Sequence, residues 1–121
     1  MRIVVFCCEN SAYQAARQGQ LPAEVDLIRL PCGGRVEVLH MLRAFERGAD
    51  GVLVLTCQED NCQSLHGSAR ARHRVEYAKE ILQEIGIDPE RLQWHPVTSN
   101  MGPRFRKIVA DMIEGLKLAS A

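Results

Sequence analysis

The sequence has no excess of charge of either sign, because its 121 residues include 15 basic and 15 acidic side chains. Such a chain has no broad positive field of the kind that holds a nucleic-acid backbone or an anionic membrane. It also contains no apolar run near the roughly 20 residues of a membrane-spanning helix, and the start, MRIVVFCCEN, has no secretory signal pattern. We therefore expect a cytoplasmic protein whose main partner is neither nucleic acid nor a membrane.

Nothing in the composition indicates a disordered or fibrous protein. Hydrophobic residues make up 46% of the chain and charged residues 25%, which is close to the average of globular proteins. A chain of 121 residues is the size of one compact domain and too short for two independent cores. We expect one domain that spans residues 1–121.

The second half of the chain has no cysteine, whereas the first half contains all 5. An odd number of cysteines in a protein expected in the cytoplasm disfavours a disulfide framework. The chain also lacks a Cys-x2-Cys redox pair and a Cys-x5-Arg loop, and so a thiol enzyme is the weakest of the possible functions. Because it has no GxGxxG or P-loop pattern, a nucleotide site is not predicted.

Four short segments rich in Val, Ile and Leu have the pattern of buried strands. They are Arg2–Cys7, Val25–Leu30, Gly51–Thr56 and Leu92–Val97. In the fourth segment Pro96 has no amide hydrogen to donate, which indicates a strand end or a sheet edge.

Apolar residues at helical spacing lie between these strands and after the last one. They predict helices over Ser11–Arg17, Val36–Phe45, Ser68–Ile85 and Phe105–Leu116. Gly48 and Gly86 are placed to end the second and third helices. Strands that alternate with helices predict an α/β fold, here a small doubly wound, mainly parallel four-stranded sheet with helices on both faces.

Cysteines lie where the predicted strands end. Cys8 closes the first strand, Cys32 follows the second, and Cys57 follows the third in a polar loop that also contains Cys62. In open α/β sheets the carboxyl ends of the strands form the edge at which ligands bind. We therefore expect three separate parts of the sequence to bring thiols to one edge of the sheet.

Four thiols match two kinds of metal site. Cys8, Cys32, Cys57 and Cys62 could complete either a [2Fe–2S] cluster or a tetrahedral zinc site. A free cysteine is more often a packing residue, and for Cys7, which ends an apolar strand, packing is the favoured interpretation. For the other four, packing would require four separate coincidences in polar or glycine-rich positions, and so ligation is favoured.

The remaining conspicuous residues have ordinary structural explanations. His66 and His73 lie in HGSARARHR, whose arginines are more typical of a solvated helix face than of a metal site. His40 lies in an apolar helical stretch and is predicted to be packed, and Trp94 is predicted to be a core or interface residue. Gly33 and Gly34 are consistent either with a plain turn or with a loop that lets backbone amides approach a cluster.

Several segments resemble the family of the delta subunit of methyl-viologen-reducing hydrogenase. They are FCCENSAY, LPCGGRVE, AFERGADGVLVLTCQEDNC, LHGS and GIDPERLQW. The resemblance extends from about Ile3 to Leu118. Its most specific part is a glycine-led strand that opens into a loop with two cysteines, downstream of a turn formed here by Cys32, Gly34 and Arg35.

The resemblance implies a single iron–sulfur electron-transfer domain without catalytic residues. It implies that one [2Fe–2S] cluster is bound by Cys8, Cys32, Cys57 and Cys62. It also implies that the protein relays electrons between a hydrogenase or formate dehydrogenase type oxidoreductase and the flavin-containing A subunit of a heterodisulfide reductase-like complex. The alternative is a structural zinc-binding module that mediates protein contacts.

Overall fold

The computed structural model describes residues 1–9, 12–19, 21–31, 36–56 and 67–120. Four strands and four helices alternate along this part of the chain. The strands are β1 Ile3–Cys8, β2 Val25–Leu30, β3 Gly51–Thr56 and β4 Leu92–Pro96. The helices are α1 Ala12–Ala16, α2 Val38–Glu46, α3 Gly67–Glu84 and α4 Gly102–Ser120, with a 3-10 turn over Pro89–Arg91. Every predicted element is present, and α4 extends beyond the predicted helix at both ends.

The strands form one sheet in the order β2-β1-β3-β4, with every neighbouring pair parallel. This confirms the predicted doubly wound α/β fold. The chain leaves β1 toward one edge of the sheet, and after β2 it crosses back to the other side of β1. The topological switch point therefore lies between the carboxyl ends of β1 and β3, where doubly wound sheets bind their ligands.

The side chains of β1 alternate between two separate cores. Ile3 and Val5 point into a cluster that is completed by α1 and α4, whereas Val4 and Phe6 point into a cluster that is completed by α2 and α3. A strand buried on both faces is a continuous apolar run because it has no solvent-facing side. This explains why the run IVVFCC has no polar residue.

Two glycines end helices as predicted. Gly48 after α2 has φ 98° and Gly86 after α3 has φ 88°, a conformation that favours glycine because a Cβ would clash. After α2, Gly48 N donates to Phe45 O at 3.0 Å and Ala49 N donates to Ala44 O at 3.0 Å. This pair of bonds is a Schellman motif, which satisfies the last carbonyls of the helix and turns the chain toward β3.

The predicted edge position of the fourth strand is also confirmed. Strand β4 lies at an edge of the sheet and ends at Pro96, where the missing amide hydrogen costs no ladder bond. None of the helices in the described ranges is long and apolar enough to span a membrane.

Two glycine-to-alanine substitutions test the packing of α4 on the sheet. A Cβ at Gly51 would lie 2.7 Å from Met112 Sδ and 3.1 Å from Leu116 Cδ1, whereas a Cβ at Gly115 would meet nothing within 4 Å. We expect Gly51→Ala to lower the free energy of unfolding by about 1–3 kcal/mol through overpacking. Gly115→Ala should raise it by roughly 1 kcal/mol because alanine is the better helix former. Chemical denaturation measures both, and equal stabilisation by the two variants would contradict the close contact between α4 and β3.

Candidate cysteine site at the carboxyl edge of the sheet

One of the four predicted ligands lies within the described part of the chain. Cys8 is the last residue of β1. Cys32, Cys57 and Cys62 lie outside the described residues, although the residues that flank them are described. Leu30 ends β2 shortly before Cys32, and Thr56 ends β3 directly before Cys57.

The strand ends that precede these cysteines lie side by side. Cys8 is paired with Leu30 of β2, and Glu9 N continues the contact by donating to Leu30 O at 2.7 Å. On the other side of β1, Cys7 is paired with Leu55 of β3, one residue before Thr56. The chain therefore leaves β1, β2 and β3 at one edge of the sheet, with β1 in the middle.

Strand alternation sends Cys7 and Cys8 to opposite faces of the sheet. Cys7 is 0% exposed and belongs to the core formed with α1 and α4. Burial, together with the neighbouring Cys8, raises the pKa of the Cys7 thiol to about 12. Cys7 is thus a protonated packing residue. Cys8 is 6% exposed and is turned to the same face as Val4 and Phe6.

The helices that follow the other cysteines in the sequence, α2 and α3, lie on the face to which Cys8 is turned. The segment after Cys32 leads through Val36 into α2, and the segment after Cys62 leads into α3. Val36 and Ala71, near the beginnings of these helices, are fully buried in the same core as Phe6. The first turns of α2 and α3 therefore lie on the Cys8 side of the carboxyl edge, where their free amides and positive dipole ends favour anionic groups.

Arg74 links the two cysteine-bearing connections. Its Nη1 in α3 donates to Val36 O at 2.8 Å, and the same atom lies 3.8 Å from Glu37 Oε1. Val36 is the first described residue after Cys32, and α3 is the helix that follows Cys62. One guanidinium thus joins the end of one connection to the helix that follows the other.

Thr56 and Trp94 fix the direction in which the chain leaves β3. Trp94 Nε1 donates to Thr56 Oγ1 at 2.9 Å, and Val97 N donates to Thr56 O at 2.7 Å. Trp94 packs against the core formed with α2 and α3, which confirms its predicted role in the core. Its indole anchors the residue that immediately precedes Cys57.

Glu9, which follows Cys8, is held by contacts of its own. Its carboxylate lies 3.8 Å from Arg29 Nη1, and its carbonyl accepts a hydrogen bond of 3.3 Å from Gln14 Nε2. The Arg29 guanidinium also lies over the ring of Tyr13, 5.4 Å from its centroid. These contacts connect the end of β1 to β2 and α1.

Two residues of this region differ from the sequence-based interpretation. His40 was predicted to be packed, but it is exposed on α2. Its Nδ1 accepts a hydrogen bond of 3.1 Å from Glu37 N, and its ring stacks on Phe6. Arg74 belongs to a stretch predicted to be a solvated face, yet it makes the contact with Val36. His73 is exposed as predicted, and His66 lies outside the described residues.

The donor set fits a thiolate-bound metal group. Within the described ranges no cluster of three or more His, Cys, Asp or Glu side chains forms a metal site. Cys8 is a described residue, and in the sequence the other three thiols follow the ends of the neighbouring strands β2 and β3. Four thiols of this kind suit iron–sulfur or zinc binding.

The fold and the cysteine positions together define a class of protein. It is a doubly wound α/β protein in which cysteines lie in the sequence at or just after the carboxyl ends of β1, β2 and β3. Residues 3–119 match the family model described as methyl-viologen-reducing hydrogenase, delta subunit. The chain belongs to this family, which confirms the resemblance seen in its motifs.

Two relatives that match the chain over most of their own length are named iron-sulfur subunits of a hydrogenase. The chain is 35% identical to the vhu iron-sulfur subunit of the F420-non-reducing hydrogenase of Methanocaldococcus jannaschii, in a match that covers 91% of this chain and 86% of that protein. The protein of the same name from Methanococcus maripaludis is also 35% identical, over 95% of this chain and 90% of its own length.

A larger relative contains a similar segment. The chain is 33% identical to part of the A subunit of the Ferredoxin:CoB-CoM heterodisulfide reductase of Methanosarcina mazei. This match covers 95% of the chain but only 15% of that protein. The same fold unit therefore occurs both as a separate protein and as a part of a much longer chain.

The contact of Arg74 can be tested by one substitution. Arg74→Met keeps much of the aliphatic length but leaves Val36 O without its donor. We expect the free energy of unfolding to fall by about 1–3 kcal/mol, the usual cost of an unsatisfied, partly buried hydrogen-bonding group. Arg70→Met, at an exposed position of the same helix, is the matched control and should change little. Equal denaturation midpoints for the two variants would show that Arg74 does not join α3 to the segment before α2.

Proposed function

We propose that this chain, as a single domain, is an electron-transfer subunit that holds one [2Fe–2S] cluster. Its ligands are Cys8, Cys32, Cys57 and Cys62. It relays electrons between a hydrogenase or formate dehydrogenase type oxidoreductase and the flavin-containing A subunit of a heterodisulfide reductase-like complex. The observation that carries the proposal is that β1, β2 and β3, the strands whose ends lie at or just before these cysteines in the sequence, are adjacent and parallel, and so they end at one edge of the sheet.

The choice of Cys8 over Cys7 follows from the alternation of β1. Cys7 is sealed in the core with α1 and α4. Cys8 is turned to the opposite face, which α2 and α3 cover. In the sequence these two helices follow the other three cysteines. Cys8 is therefore the β1 thiol on the same side of the sheet as the helices that follow the other proposed ligands.

The protein environment is suited to an anionic group. Four thiolates leave an oxidised [2Fe–2S] centre with a net negative charge, and a bound cluster supplies a one-electron carrier. The first turns of α2 and α3 begin directly after the cysteine-bearing segments and present positive dipole ends. Hydrogen bonds and cations near such a site raise its reduction potential, and the guanidinium of Arg74 lies at Val36, the first described residue after Cys32.

The relatives support both the cofactor and the partners. Proteins that match this chain over most of their length are named iron-sulfur subunits of F420-non-reducing hydrogenases. The same segment forms part of the A subunit of a heterodisulfide reductase. A unit that occurs in one organism as a separate protein and in another as part of a heterodisulfide reductase is expected to exchange electrons with that type of complex.

The first test is the composition and redox behaviour of anaerobically purified protein. We expect about two irons and two sulfides per chain and a rhombic electron paramagnetic resonance signal after one-electron reduction. The reduced protein should then be reoxidised by a flavoprotein of the heterodisulfide reductase type. Stoichiometric zinc without iron, from cells grown with ample iron and without oxygen, would instead indicate a structural zinc module.

Cysteine substitutions test the ligand set. Cys8→Ser, Cys32→Ser, Cys57→Ser and Cys62→Ser should each lose most of the iron or shift its visible absorption, because serine replaces a thiolate ligand. Cys7→Ala is the matched control, and it should retain both iron atoms because its thiol only packs. If Cys7→Ala loses the iron and Cys8→Ala retains it, the assignment from strand alternation is wrong.

A further inference from the structure

A second surface of the protein lies on the outer strand β2. The face of β2 toward α1 and α4 is covered, since Val25 and Leu27 pack against that core. On the opposite face Ile28 is 40% exposed. Helix α2 packs against α3 and β3, and so it leaves this half of β2 without a covering helix.

The uncovered area is a groove of about 300 Å³. Its floor is apolar and consists of Val4 and Phe6 from β1 with Ile28 and Leu30 from β2. One wall is a single stripe of α2, in which His40, Arg43, Ala44 and Arg47 follow each other at helical spacing. The wall runs for about 10 Å, or two helical turns.

The rim of the groove carries positive charge. Arg2, Arg43 and Arg47 line it, and no Asp or Glu of the described chain does so. Arg2 is paired with Asp26. The guanidinium groups of Arg43 and Arg47 have no hydrogen bond or ion pair with any described residue. Arginine at the end of a helix is common because it complements the dipole, but here the arginines also border an apolar floor on which Ile28 is exposed.

We propose that this groove docks an amphipathic helix of a partner protein, whose apolar face covers Ile28 and whose acidic side chains pair with Arg43 and Arg47. A helix is about 10 Å wide and completes the helical layer that α2 and α3 begin on this face. The acidic side chains of the partner helix supply the negative charge that the rim of the groove lacks. The proposal does not depend on a cluster, because none of the groove residues is a predicted ligand.

The shape of the groove favours a helix over a small ligand. The groove is open along its length and its floor spans two neighbouring strands, whereas small molecules are held in concave pockets that bury most of their surface. The polar groups of its wall and rim are charged or titratable side chains around an apolar centre. This is the arrangement of a helix-in-groove contact, in which apolar anchors recur at i, i+3 and i+4.

The test uses the full chain, purified anaerobically, and two synthetic helical peptides of about three turns. Both peptides carry the same apolar stripe, flanked by Glu in one and by Lys in the other. We expect saturable binding of the acidic peptide, with nuclear magnetic resonance shifts centred on Ile28 and Ala44. Binding should weaken as the salt concentration rises, because the pairs are solvent-exposed.

Charge reversal provides the control. The double substitution Arg43→Glu and Arg47→Glu should lower the affinity for the acidic peptide by about tenfold or more, and it should allow the Lys peptide to bind instead. Lys117→Glu also removes a cation, here from an exposed position in the last turn of α4, and it should change binding by less than about twofold. The reversal is also expected to leave the iron content unchanged, and so this test is independent of the proposed function.

Four results would overturn the proposal. They are equal affinity for the two peptides, shifts centred on the separate apolar cleft between Phe45 and Ile85, no binding of either peptide, and self-association of the chain that Ile28→Glu abolishes. The last result would mean that a second copy of this chain covers the groove.

Discussion

The parallel pairing of β1 with both β2 and β3 is the constraint on which the rest of this structure depends. It places β1 at the centre of the sheet, buries both of its faces, and brings the chain out of three strands at one edge. Since every crossover must return over a face of the sheet, the connections after β2 and β3 both enter helices of the same layer. In the sequence, Cys8 ends β1, and Cys32 and Cys57 follow the ends of β2 and β3.

The two faces of β1 divide the protein into parts with different roles. The core with α1 and α4 is closed by large side chains such as Phe105 and Met112, and it contains Cys7. The core with α2 and α3 is the one toward which Cys8 is turned, and these two helices follow the other cysteines in the sequence. Arg74 and Trp94 lie on this second side, where they hold the residues that flank those segments. The period of two along one strand thus separates a packing thiol from a proposed ligand.

The second face also explains the groove. Helix α2 connects β2 to β3 and packs toward α3. The outer half of the face that α2 and α3 cover therefore has no helix over it, and Ile28 and the arginines of α2 line this uncovered part. The groove follows α2 from His40 in its first turn to Arg47 at its end, and its floor extends to Leu30, which pairs with Cys8. The groove therefore reaches the carboxyl edge of the sheet.

Sequence patterns predict most of the secondary structure of this protein, because apolar periodicity and the positions of glycines depend on local structure. The bounds of β2 and β3, the helix ends at Gly48 and Gly86, and the edge position of the strand with Pro96 were all predictable. The family was recognisable from the motifs around the cysteines. The tertiary structure decided what depends on contacts between distant residues. Arg74 lies in a stretch whose sequence is typical of a solvated face, yet its guanidinium contacts Val36. His40 is exposed, and its ring stacks on Phe6 of β1. The groove exists because α2 leaves part of β2 uncovered. No single segment contains that information, since each contact joins side chains from separate elements.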